Sequence, residues 1–311
     1  MNSKVSYLYS PGSILPAAGF TILYLALSFL LIGFKTDQLW LAIFFNVFYF
    51  LSSGTRKFII GFSIFIVYWI IFDYMKAVPN YKVNNVHIQD LYNAEKSLFG
   101  IYINGNEITP NEYWKANHNA FLDVLTGIFY LCWIPVPLAF AAYLFFKNKI
   151  LFLQFSLSFV FINLIGFVIY YIYPAAPPWY MQQYGTDFLP GTPGNTAGLS
   201  RFDAYFNVSI FKNLYAKSSN VFAAMPSLHS SYPLLVLYYG IKNKTGWVNI
   251  IFTIVMVGIW FSAVYTSHHY ILDVLAGMAC AVLGILLFNK VLMQSKWFVN
   301  FLNKYLEKIS G

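Results

Sequence analysis

His269 and Asp273 stand four residues apart in Ser267-His-His-Tyr-Ile-Leu-Asp273, forty residues after His229 in Pro226-Ser-Leu-His229. A carboxylate that holds one nitrogen of an imidazole leaves the other free to attack an electrophile, and a second imidazole nearby can carry protons. If Asp273 follows His269 by one helical turn, its side chain reaches that first nitrogen. The three residues therefore fit nucleophilic substitution, with His269 the nucleophile, Asp273 its orienting acid and His229 the proton carrier. Two histidines and an aspartate can also bind zinc, but the compact His-rich or Cys-rich spacing of such sites is missing, so the reading needs neither metal nor cofactor. His268 lies roughly 100° round a helix from His269 and is expected to pack rather than share its role.

The surroundings decide which electrophile can reach them. Of 311 residues, 59% are hydrophobic and only 10% are charged, with a mean hydropathy of +0.60. A soluble domain carries about 25% charge, so this composition predicts an all-α, polytopic membrane bundle. Apolar runs able to cross about 30 Å of hydrocarbon fall near 13–34, 39–54, 58–74, 120–146, 150–173, 224–241, 247–267 and 270–289, eight in all, of which the second and sixth are short. The first run lacks an A-x-A-like cleavage site and is read as a retained anchor. Within one integral membrane domain over 1–311, the expected parts are N-terminal spans (1–74), an outer-face loop with a short interfacial helix (75–119), a catalytic core (120–290) and a basic amphipathic tail helix (291–311). The tail carries Trp297, Phe298, Phe301, Leu302, Tyr305, Leu306 and Ile309 on one face and is expected to lie on the cytoplasmic leaflet. Cys132 and Cys280 both fall inside spans, where packing is their expected role.

Charge orients the chain. With the N-terminus inside, Arg56-Lys57, Lys147, Lys149, Lys242, Lys244 and the tail lysines are all cytoplasmic. Together with Lys4, eleven of the nineteen basic residues then face one acidic residue inside, while eight basic and ten acidic residues lie outside. The net +8 is topological and argues against a nucleic-acid partner; nothing in the chain suggests a protein partner. Both long polar connections, 75–119 and 174–223, and both reactive histidines come to the outer face, where lipid head groups are the available substrates.

The segment 174–220 is punctuated by Pro174, Pro177, Pro178, Pro190, Gly191, Pro193, Gly194 and Gly198, so no regular helix is expected before about residue 199. Trp179 and Tyr180 read either as interfacial anchors or as a wall of the head-group pocket. Arg201 is one of two arginines in the chain and the only one outside. A guanidinium grips two phosphate oxygens at once, which makes Arg201 the candidate phosphate clamp; the alternative is a surface ion pair with Asp203 or Asp187. Ser227 and the backbone amides at the helix start after Pro226 are further phosphate-binding candidates. Asp123 either binds head-group hydroxyls or caps the fourth span. His87 and His118 are expected in solvated loop positions.

Pro-Ser-Leu-His229 followed by His269-Tyr-Ile-Leu-Asp273 resembles the second and third motifs of the type 2 phosphatidic acid phosphatase superfamily. More narrowly, Pro174-Ala-Ala-Pro-Pro-Trp-Tyr180, Ala197-Gly-Leu-Ser-Arg201 and Tyr265-Thr-Ser-His-His-Tyr270 resemble the fungal inositol phosphorylceramide synthases and their bacterial relatives. The resemblance covers about residues 95–290 and implies a six-helix core and attack on phosphorus by histidine. Two phosphatase features are missing: there is no Arg-Pro pair, and Ser262-Ala263 stands where the third motif has an arginine after serine. A phosphomonoester dianion needs more positive charge around it than a diester monoanion, so the thinned cation set favours transfer between diesters. What is implied is transfer of a head group from a phospholipid donor such as phosphatidylinositol to a ceramide-like acceptor through a phosphohistidine. The alternative is a lipid phosphate or polyprenyl pyrophosphate phosphatase, and sphingomyelin synthases, which use a similar trio, leave phosphocholine or phosphoethanolamine open as the head group.

Overall fold

The computed structural model describes residues 8–217 and 220–310; Lys4, counted above among the inner charges, lies outside them. The chain is a multi-pass membrane protein built almost entirely of helices. Among the described residues, six apolar helical stretches are long enough to span: Pro11–Ile32, Ser53–Ala77, Ala120–Lys147, Lys149–Ile172, Val248–Tyr265 and Ile271–Gln294. The other two expected spans form as the shorter helices Thr36–Leu51 and Leu228–Lys242.

The N-terminal unit comprises α1 (Pro11–Ile32), α2 (Thr36–Leu51) and α3 (Ser53–Tyr74). Gly33, at φ 76°, turns the chain between the first two, and the Ser52 hydroxyl accepts from the Thr55 N–H to start the third. An outer layer follows: α4 (Gln89–Phe99), a hairpin of β1 (Ile101–Ile103) and β2 (Asn106–Ile108), and α5 (Pro110–Ala116). The hairpin, not foreseen from sequence, closes on Asn104-Gly105, both at positive φ, as a two-residue turn requires.

In the core, the span 120–147 is broken into α6 (Ala120–Leu131) and α7 (Pro135–Lys147). Pro135 has no N–H and its ring disfavours helix at the preceding residue, so the chain bends and Trp133 turns inward. The bundle continues with α8 (Lys149–Ile172), α9 (Pro178–Tyr184), α10 (Ser200–Phe206), α11 (Ile210–Ala216), α12 (Leu228–Lys242), α13 (Val248–Tyr265) and α14 (Ile271–Lys290). Helix α9 corrects the expectation of irregular chain before residue 199: Pro178 sits at its first turn, where a missing N–H costs nothing. Helix α12 packs against α8, α13 and α14. Its start and α14 approach so closely that a Cβ on Gly277 would lie 2.0 Å from the Ser227 carbonyl oxygen.

The tail forms α15 (Lys296–Ser310). Rather than lying free on a leaflet, it buries Phe298, Leu302 and Ile309 against the bundle and donates from the Tyr305 hydroxyl to the Ile60 carbonyl of α3. Trp297 and Phe301 stay exposed. Cys132 and Cys280 are unpaired, as their packing role requires.

Candidate active site

Two chain breaks build the site. Pro226 ends the preceding loop and lets α12 begin at Leu228, which puts His229 in its first turn. Between α13 and α14, Ser267 takes φ 59° and the chain reverses, leaving His268 and His269 outside both helices. Helical-wheel reasoning therefore does not separate the two histidines; the turn does. His269 Nε2 comes to 3.0 Å from His229 Nδ1, with ring centroids 5.2 Å apart. At that separation one nitrogen carries the proton and the other accepts it.

Asp273 is fully buried in the first turn of α14. Its Oδ2 accepts from the Tyr270 N–H at 2.8 Å and stands 3.5 Å from His269 Nδ1. The second distance is long for a hydrogen bond, and His269 Nδ1 has no closer partner. The acid is thus held by its own helix start and faces the imidazole at ion-pair range.

His268 turns away from this pair. Its Nε2–H donates to the Thr196 carbonyl at 3.0 Å and its ring stacks on Tyr215 at 4.5 Å. Burial pushes its imidazole down to about 3, so it is neutral and ties the 174–223 loop to the turn.

A cavity of about 1000 Å³ opens onto both His229 and His269. That is the upper end of the range for ligand pockets, enough for a head group with the beginnings of its chains. Tyr68, Trp69 and Phe72 of α3 line one side; Tyr130, Trp133 and Ile134, at the α6–α7 bend, line the other. Toward the Ser53 end of α3 this gap is shut, because Phe58 packs edge-on against Phe145 at 5.3 Å. Trp133 stands edge-on to His229, centroids 4.3 Å apart. Lys35, Asp37, Asp73, Lys76 and Lys217 furnish the polar rim, in which Lys217 pairs with Asp37 at 2.8 Å and Lys76 with Asp73. Among the described residues, no three His, Cys, Asp or Glu side chains form a metal-holding group.

The other sequence candidates divide. Trp179 lines the cavity. Tyr180 does not: fully buried, its hydroxyl donates to the Asp187 carbonyl and accepts from the Leu189 N–H, folding its own loop. Ser227 is buried beside Asp273, its N–H donating to the Asp273 carbonyl at 2.9 Å while its hydroxyl has no partner. Arg201 is not among the cavity-lining residues: its Nε donates to Asp123, its guanidinium covers the Tyr265 ring, and Nη2 is buried without a partner. The ion pair weighed for Arg201 exists, but with Asp123 instead of Asp203 or Asp187. Asp203 accepts from the Phe211 and Lys212 amides. Asp123 also accepts from the Tyr265 hydroxyl at 2.8 Å, and the helix cap considered for it belongs to Asn119. His87 stacks on Tyr173 at 3.7 Å and pairs with Asp90, and His118 contacts Asp123 at 3.2 Å, so neither is simply solvated.

Sequence reasoning missed Trp133 and the lysine rim. Pro135-Val-Pro137 was the one signal for the bend that aims Trp133; nothing local marked Lys35, Lys76 and Lys217 as neighbours of the histidines.

The sequence has known relatives. The sequence profile of the PAP2 superfamily matches residues 101–287. A phosphoinositol dihydroceramide synthase of Bacteroides thetaiotaomicron is 47% identical over 92% of this chain and 95% of its own. The inositol phosphorylceramide synthase catalytic subunit of Saccharomyces cerevisiae is 32% identical over 55% of this chain and 42% of its own, and the Candida albicans enzyme 30% over 55% and 38%. This chain thus matches less than half the length of the fungal relatives. No solved structure matches it.

Proposed function

The chain belongs to the PAP2 superfamily and is a lipid head-group phosphotransferase, and from that premise we propose that it moves phosphoinositol from phosphatidylinositol to the primary hydroxyl of a ceramide-type lipid. The observation that carries the mechanism is the 3.0 Å approach of His229 Nδ1 to His269 Nε2 at the wall of a lipid-sized cavity. His269 Nε2 attacks phosphorus; a P–N bond forms and the P–O bond to diacylglycerol breaks, with the imidazolium form of His229 giving its Nδ1 proton to the departing alkoxide and becoming neutral. The neutral His229 then takes the proton of the acceptor hydroxyl, whose oxygen displaces His269 and forms the new diester. Reacting atoms in such a complex stand about 3–3.5 Å apart, so the phosphoryl group sits beside the imidazole pair or parts it. Asp273 holds His269 Nδ1 as positive charge develops on the ring. Lys35, Lys76 and Lys217 are the cations lining the cavity, the last two paired with Asp73 and Asp37, while Arg201 commits its Nε to Asp123.

The lysine and arginine bias of the connections supports a site on the outer face of the membrane, periplasmic in a bacterium or luminal in a compartmented cell, with both termini in the cytoplasm. The test is purified protein given phosphatidylinositol labelled in the inositol, with and without ceramide. Label appearing on ceramide, and only when ceramide is present, is the expected result. Release of inorganic phosphate from a monoester lipid, with no label on ceramide, would replace the transferase reading with phosphatase action.

A further inference from the structure

The turn that carries His269 is gripped from above by residues that touch neither the cavity nor the catalytic side chains. Glu95 of α4 is fully buried, with Oε1 accepting from the Ile271 N–H at 2.9 Å and Oε2 from the Leu272 N–H at 3.0 Å. These are the first two residues of α14, whose amides have no acceptor inside the helix. Asp273 takes the amide of Tyr270 just before them. Two carboxylates therefore satisfy three successive amides at one helix start. Asn111 of α5, also fully buried, donates both Nδ2 protons, to the Val264 carbonyl at 2.8 Å and to the His269 carbonyl at 2.9 Å. It ties the end of α13 to the nucleophile's own backbone. The two grips are linked, since the Tyr92 hydroxyl of α4 donates to Glu112 of α5 at 3.1 Å.

We propose that Glu95 and Asn111 are positioning residues of the transfer reaction, which set the separation of His269 and Asp273 by holding the backbone on either side of the pair. Asn111 fixes the peptide of His269, Glu95 fixes the helix start that carries Asp273, and the contact between the two side chains spans the gap. That contact stands at 3.5 Å, on the edge of bonding, so a shift of a few tenths of an ångström in either grip changes how firmly the imidazole is held. Burying a carboxylate is costly, and burial pushes Glu95 up to about 7 despite the two amides; such a group is retained where its geometry is needed. Glu95 lies outside the stretch matched by the superfamily profile, residues 101–287.

The inference rests on His269 being the nucleophile, and the experiment separates the two. Glu95→Gln and Asn111→Asp keep shape while removing, respectively, one acceptor and both donors. Each is expected to lower kcat about 10-fold to 100-fold, with KM for both lipids unchanged within twofold, because misplacement of a catalytic group by about 1 Å costs on the order of 10²-fold and neither residue lines the cavity. Glu95→Asp, which keeps the charge with a shorter reach, should recover part of the loss. Tyr92→Phe cuts only the partly exposed link between the grips and should lower kcat a few-fold in a normally folded protein, so the idea stays testable if the buried variants do not fold. Unchanged kcat in Glu95→Gln and Tyr92→Phe overturns the proposal, as does a KM rise at constant kcat. If His269→Ala keeps activity, the nucleophile assignment fails instead.

Discussion

The N-terminal unit and the catalytic core are both apolar helices of membrane-spanning length, yet they are packed by different rules. In α1 only 11% of the most apolar window is buried, against 56% in α8. The surface of α1 and α2 is Phe, Leu, Ile and Trp facing outward, while α8, α12 and α14 bury Ser156, Ser158, Asn163, Ser230, Ser231 and Asp273 and bring backbones together at Gly277. Lipid is as apolar as leucine, so a helix facing it gains little by interlocking, and α1 to α3 need only supply one wall of a cavity. The core holds two imidazoles within 3.0 Å of each other, and small residues together with hydrogen bonds such as Ser231 Oγ to the Gly277 carbonyl and Tyr232 to Asn163 fix backbone positions at that accuracy. Close packing is concentrated around the paired imidazoles.

The sharpest way to break this contrast is at the imidazoles. His269→Ala and His229→Ala should each lower transfer by at least about 10³-fold, read as labelled product on ceramide, with the fold intact by size-exclusion chromatography. Next comes paired glycine substitution. In Gly277→Ala the new methyl would meet the Ser227 carbonyl, so α12 and α14 must separate; a loss of about 1–3 kcal/mol in stability and of most activity is expected. In Gly19→Ala of α1 the methyl meets nothing within 4 Å, and the melting temperature should stay level or rise, by about 0.5–1 kcal/mol of helix propensity, with activity unchanged. Equal effects of the two substitutions would erase the distinction between the regions. Trp69→Ala, on the cavity side of α3, should raise KM for the lipids a few-fold while kcat holds, since a wall binds but does not react.

The smallest effect is in pH. Burial raises Glu95 in the folded protein from 4.5 to about 7 against the lowering effect of the Ile271 and Leu272 amides, and nearby Asp273 adds to the rise. An acid raised on folding stabilises the fold fully below its unfolded value, and that contribution fades as pH climbs through its folded value. Thermal stability should therefore fall between about pH 5 and pH 7, and Glu95→Gln should flatten that slope; an identical slope in the variant would place its origin elsewhere.

Much of this was legible in the residues. All eight apolar runs form helix in the expected order, one of them broken in two at Pro135, and the trio of His229, His269 and Asp273 came together because each sits at a helix start or turn marked locally by proline, serine or an acid. Pro135 broke a run read as one span, 120–146, and the consequence of that break, Trp133 against His229, left no local trace. Arg201 shows the limit most clearly: its chemistry suited phosphate, yet its partner, Asp123, lies 78 residues earlier and no local pattern names it.

By itself the sequence determined that the chain lives in a membrane, how its spans follow one another and which side chains are able to attack phosphorus, because hydropathy and ionisable groups are properties of each residue where it stands. Tertiary structure alone decided how those side chains are aimed. The grips on the catalytic turn run from Glu95 and Asn111 to backbone amides and carbonyls, and every residue carries those same groups, so no choice of residue at 269, 271 or 272 records that its peptide is held. The cavity was decided in the same way, its walls drawn from α3 and the α6–α7 bend, some sixty residues apart in the chain and adjacent only once the bundle has packed.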